Sequence, residues 1–171
     1  MTDLVKVIDG VPARVIWDVD YDGNQVAEAE LAFFAQDDGD NVWTLGEYPE
    51  EYDNGKFAGA PSTWIQGEAH ARGGVLVPGH PELGSARFIQ GVSRSIDFLD
   101  CAQVFKVRQH TCAPTGCYQS VLVMDENSPL DTDSGHQRKS YASGVGVVRI
   151  GAVNDPQAET LELTKIVHLG P

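Results

Sequence analysis

Apolar and polar residues alternate along much of this chain. In residues 11–21, Val11, Ala13, Val15, Trp17 and Val19 fall on one side. In residues 26–36, Ala27, Ala29, Leu31, Phe33 and Ala35 do the same, with Glu28, Glu30 and Phe34 opposite. A two-residue period marks a half-buried strand, because successive side chains of a strand leave on opposite faces. A helix would spread the same residues around its circumference. Asp22-Gly23 separates the two runs, and Asp-Gly between alternating segments is a strong hairpin signal. Turn dipeptides recur at Asp9-Gly10, Asp38-Gly39, Asn54-Gly55, Pro78-Gly79, Thr115-Gly116 and Ser143-Gly144. The segments between them predict strands over residues 41–48, 63–66, 75–77, 87–90, 101–108 and 118–124. Residues 139–153 predict two more, bent at Gly144. Residues 160–169 predict a last one, in which Leu161, Leu163, Val167 and Leu169 face together. Residues 93–107 alone have a spacing compatible with a helix, but their β-branched and aromatic content favours a strand.

The expected fold is therefore all-β and antiparallel: an open barrel or strongly curved sheet of roughly ten short strands with little helix. A length of 171 residues favours a single β domain over residues 1–171. Leu4-Val5-Lys6-Val7-Ile8 already reads as a strand close behind Met1. That is expected of a natural start, or of a chain whose upstream segment has been left out. No basic and apolar leader opens the chain, so no signal peptide is read here. The expected location is extracytoplasmic if an upstream segment exists and cytoplasmic otherwise.

Charge narrows the partners. There are 25 acidic against 12 basic side chains, a formal charge of −13. Such a surface repels phosphate backbones and anionic headgroups, so nucleic acid and membrane surfaces are poor partners. It suits a cation, a neutral small molecule, or plain solubility. An apolar content of 42 % is too high for a disordered chain. No apolar run approaches the ~20 residues of a membrane-spanning helix.

The cysteines are Cys101, Cys112 and Cys117, an odd number. Cys112-Ala-Pro-Thr-Gly-Cys117 sets a Pro/Gly turn between two of them, and across a hairpin they could satisfy disulfide geometry. So short a loop would stabilise by about 2 kcal/mol on the chain-entropy account, in an oxidising compartment. The alternative is three reduced thiols, with Cys101 in the core.

Several groups carry candidate chemistry. Asp18-Val19-Asp20-Tyr21-Asp22-Gly23-Asn24 opens like a calcium loop, but the twelfth position is Ala29 where a bidentate glutamate is needed. The same residues make a hairpin turn. His70 and His80 flank a short strand, with Glu68 and Glu82 nearby. Two histidines and a carboxylate could bind a divalent metal, although spacing alone marks no known ligand motif. Glu47, Glu50, Glu51 and Asp53 follow the Trp43 strand with Tyr48 and Tyr52 between them. Paired carboxylates beside aromatics suit a sugar-cleaving site, a cation, or a solvated acidic loop. His110 and Cys112 could pair as base and nucleophile. Trp17, Trp43 and Trp64 could line a cavity or serve as core.

Three stretches carry a resemblance. They are Asn41-Val42-Trp43-Thr44-Leu45-Gly46-Glu47 with Tyr52-Asp53-Asn54-Gly55-Lys56, Ser62-Thr63-Trp64 with Gly74-Val75-Leu76-Val77-Pro78, and Tyr141-Ala142-Ser143-Gly144-Val145-Gly146-Val147-Val148. Together, over nearly the whole chain, they resemble a family of uncharacterised bacterial β proteins, largely actinobacterial and often exported. The resemblance implies an antiparallel fold similar to the open barrel of bacterial lipoprotein carriers. It also implies an N-terminal strand that relatives have and this chain lacks. It carries over no catalytic residue.

Three functional expectations follow. The first is a carrier whose concave β surface holds a small apolar or amphipathic ligand, lined by Trp17, Trp43, Trp64 and Glu47. The second is a metal-assisted hydrolase or lyase using His70, His80 and Glu68. The third is an assembly protein, a homo-oligomer paired through an exposed edge strand.

Overall fold

A computed structural model describes residues 2–131, 136–153 and 160–167. The fold is all-β and antiparallel. Thirteen strands are present among the described residues: β1 (Val5–Ile8), β2 (Val11–Asp22), β3 (Gln25–Gln36), β4 (Val42–Asp53), β5 (Lys56–Gly59), β6 (Trp64–Ile65), β7 (Arg72–Val77), β8 (Phe88–Ser93), β9 (Phe98–Ala113), β10 (Gly116–Asn127), β11 (His136–Ala142), β12 (Gly146–Val153) and β13 (Thr160–Glu162). Their hydrogen-bonded order is β1-β2-β3-β4-β7-β8-β9-β10-β11-β12-β13, with β5 and β6 paired to β4, and the series does not close on itself among the described residues. The helical alternative for residues 93–107 reduces to one 3-10 turn, Arg94–Ile96, after which β9 runs on as a strand. The chain divides into two compact units. Unit 1 comprises residues 1–80 and 89–100, and unit 2 comprises residues 81–88 and 101–171.

In unit 1 the alternation read from the sequence sets one face inward. Ile8, Ala13, Val15, Phe33 and Leu45 form the core, with Leu31, Ala35, Trp43, Tyr48 and Ile65 packed against it. The β2–β3 turn is Gly23-Asn24 between the paired Asp22 and Gln25, and Gly23 has φ +61°. That left-handed conformation is open to glycine without a Cβ clash. β4 is longer than the sequence suggests, because the acidic run 47–53 is strand and not loop. β3 pairs with it as far as Glu51, and β5 covers Glu51 to Asp53 from the other side. Pro49 falls between the stretches where β6 and β5 pair with β4. A strand tolerates proline where no partner needs its N–H.

In unit 2 Val121, Ala142 and Val148 form a core with Tyr118, Val123 and Leu163 against it. Val121 and Met124 are fully buried, each worth roughly 1.5–3 kcal/mol over exposure. The β9–β10 ladder is broken three times, and Arg108 and Ser120 adopt φ +55° at the irregularities. Such bulges bend a strand and re-aim its side chains. β13 ends at Glu162, short of the strand expected to residue 169. Leu163 turns into the core while Ile166 and Val167 stay exposed, so the expected common face of the run is lost. Leu169 and His168 lie outside the described residues.

Gly91 shows how tightly unit 1 is packed. A Cβ there would meet Trp64 Cζ2 at 2.8 Å and Phe98 Cε1 at 2.9 Å, in the stack those rings form. Gly91→Ala is expected to lower stability by roughly 1–3 kcal/mol, as overpacking does. Gly151→Ala, with nothing within 4 Å of its Cβ, is expected to lower it by less than about 0.5 kcal/mol. Urea midpoints of the two variants test the contrast.

Candidate functional site

Strand register collects charge on one face of unit 1. Asp18 lies opposite Glu30, and Asp20 opposite Glu28, between β2 and β3. Between β3 and β4, Glu28 lies opposite Glu51, Glu30 opposite Pro49, and Ala32 opposite Glu47. Residues opposite one another share a face, so Asp18, Asp20, Glu28, Glu30, Glu47 and Glu51 all leave the same side. Burial, then the charges of Glu47, Glu28, Asp18 and Asp20, push the Glu30 carboxyl up to about 8. Glu28 and Asp20 are raised as well, each by burial first and neighbouring carboxylates second.

Of the four residues expected to bind a ligand, two meet directly. Trp64 and Glu47 are brought together: the buried indole donates Nε1–H to Glu47 Oε2 at 3.0 Å and stacks on Phe98 with centroids 5.2 Å apart. Trp43 is half-buried and donates its indole N–H to Asp37 Oδ2 at 2.8 Å. Asp37 also accepts from the Asn41 amide and from the backbone of Asn41 and Gly39, and these bonds hold its carboxyl down to about 2. Trp17, opposite Leu31, is 62 % exposed.

His70, His80 and Glu68, considered as metal ligands, are all exposed. Among the described residues, one group of three or more His, Cys, Asp or Glu side chains has its donor atoms within 4.8 Å of one another: His110, Cys112 and Cys117. Cys112 and Cys117 are joined in a disulfide across the β9–β10 hairpin, which decides between the two thiol readings. Cys101, in β9, is buried.

Unit 2 holds a cleft of about 380 Å³ whose lining includes Phe105, Lys106, His110, Val123, Arg138 and Arg149. The ladder explains the convergence. Lys106 pairs with Val123, Val123 with Ser140, and Ser140 with Arg149, while Arg138 lies two residues from Ser140 on the same face. Each arginine is held in place. The Arg138 guanidinium lies 3.8 Å from the Phe105 ring centroid, and its Nε lies 3.6 Å from Asp125 Oδ2. Arg149 Nε lies 3.6 Å from Glu162 Oε1. Asp125 also takes Arg87 Nη2 at 2.9 Å and His136 Nδ1 at 3.2 Å. On the opposite face, Glu126 binds Lys139 Nζ at 3.0 Å and accepts from the Tyr141 hydroxyl at 2.9 Å. Burial and the Glu126 charge push that hydroxyl well above its ordinary range.

Sequence reasoning missed the cleft. Its signal was present in the alternation Arg138, Ser140 and Arg149, Gly151 on two paired strands, but no single segment shows five strands meeting. The cleft's surroundings differ in charge from the rest of the chain. Unit 1 carries 17 acidic and 5 basic side chains, a net −12, whereas unit 2 carries 8 and 7, a net −1. Comparison of the chain with known protein families, curated proteins and solved structures finds no match.

The raised Glu30 carboxyl makes a pH prediction. Its ordinary value is 4.5 and its folded value about 8. Between the two, the folded chain holds a proton the unfolded chain has released, so this group makes stability fall as pH rises. Glu30→Gln is expected to flatten that decline and to stabilise the protein at pH 8. Urea midpoints measured from pH 5 to pH 8 on both proteins check it.

Proposed function

We propose that the protein is a binding module that takes a small amphipathic anion in the cleft of unit 2. The observation that carries this reading is the convergence of Lys106, Arg138 and Arg149 on one cleft of a chain with net charge −13. A volume of about 380 Å³ lies in the range of small-molecule sites. Phe105 and Val123 offer an apolar floor, and the three cations offer charge-assisted bonds to a carboxylate or phosphate head. Arg138 is positioned before any ligand arrives, by the carboxylate of Asp125 and the ring of Phe105. Pre-positioning lowers the ordering cost of binding. The reading refines the expectation of a carrier with a concave β surface, with an anionic rather than a purely apolar guest.

Octyl phosphate, followed by isothermal titration calorimetry, is the probe. Arg149→Ala and Lys106→Ala are each expected to weaken its binding about tenfold, the loss of one charged hydrogen bond. Raising the salt concentration is expected to weaken it further. Lys56→Ala, an exposed lysine of unit 1, is expected to change nothing. Binding that ignores the two cleft variants rejects the proposal, as does the absence of binding at millimolar octyl phosphate.

A further inference from the structure

The disulfide at the tip of the β9–β10 hairpin has a neighbour that a covalent staple does not need. His110 Nε2 lies 3.8 Å from Cys112 Sγ. We propose that His110, Cys112 and Cys117 form a redox-gated zinc site, closed while the disulfide stands and competent once it is reduced. The placement follows from strand geometry. His110 and Cys112 are two residues apart in β9 and therefore share a face. Cys117 lies directly opposite Cys112 in the ladder and so joins them on that face. The donor atoms of all three lie within 4.8 Å of one another, and all three residues are exposed, so a reductant and an ion can reach them. Two thiolates and an imidazole are a donor set that Zn²⁺ takes, with water in the fourth position.

The chemistry balances with a dithiol as reductant. The dithiol gives two electrons to the S–S bond of Cys112 and Cys117 and closes to its own disulfide. Its two protons go to the two sulfurs as the bond breaks. Zn²⁺ then forms two S–Zn bonds with release of those two protons, and neutral His110 adds a lone pair from Nε2. The inference goes beyond anion binding in the cleft. It is tested by an ion rather than by octyl phosphate, so either proposal can fail without the other.

The full chain is reduced with a water-soluble phosphine, which becomes its oxide and does not compete for the metal as a dithiol would. It is then titrated with Co²⁺ as a spectroscopic stand-in for Zn²⁺. The expected result is a thiolate-to-cobalt charge-transfer band that saturates at one ion per chain, is displaced by Zn²⁺, and is absent from the oxidised chain. Cys112→Ser with Cys117→Ser is expected to abolish the band. His110→Ala, checked for native circular dichroism, is expected to weaken Zn²⁺ binding by at least the roughly tenfold that loss of even an outer partner costs a metal site. Equal binding by oxidised and reduced chains overturns the proposal. So does a folded His110→Ala protein that, once reduced, binds Zn²⁺ as tightly as the parent.

Discussion

A strand can send successive side chains only to opposite faces, and this forces Asp125 and Glu126, neighbours on β10, into different surroundings. Both carboxylates are largely withdrawn from water, so each needs its own compensation. Asp125 finds it in Arg87, His136 and Arg138, and Glu126 in Lys139 and the Tyr141 hydroxyl. The two networks lock β10 to β11 from both sides. The Asp125 network also orients one of the cleft's cations, because Arg138 pairs with that carboxylate.

Unit 1 handles carboxylates in the opposite way. Six of them leave one face of β2, β3 and β4, and cations do not interleave them in the register. Glu30, at the centre and partly buried, relieves the repulsion by keeping its proton to about pH 8. Asp37 is the contrasting case. Several N–H groups converge on it, so it ionises readily and fixes the β3–β4 turn together with the Trp43 indole. Residues of one type thus act as repelling face, buried counter-ion and turn clasp, according to what the fold places around them.

The β9–β10 hairpin joins two further requirements. Its irregular register re-aims side chains along β9, so Phe105 and Lys106, neighbours in sequence, both reach the cleft. Near the tip, regular pairing returns, with Cys112 opposite Cys117 and His110 beside them. The cleft and the sulfur cluster therefore share one pair of strands, and His110 belongs to both.

The two-residue alternation and the turn dipeptides by themselves determined that this chain is an antiparallel β protein. They also determined which faces of β2 and β3 are apolar, since pleating is a local property of each segment. The pairing of Cys112 with Cys117 was half legible for the same reason: both partners sit on one hairpin. Only the tertiary structure decided that 47–53 continues β4, because that depends on β3 and β5 arriving on either side. Only it brought Lys106, Arg138 and Arg149 from three strands to one cleft. Convergence of that kind depends on register between strands distant in sequence. Register follows from the pairing and packing of the whole, not from the pattern within any one segment.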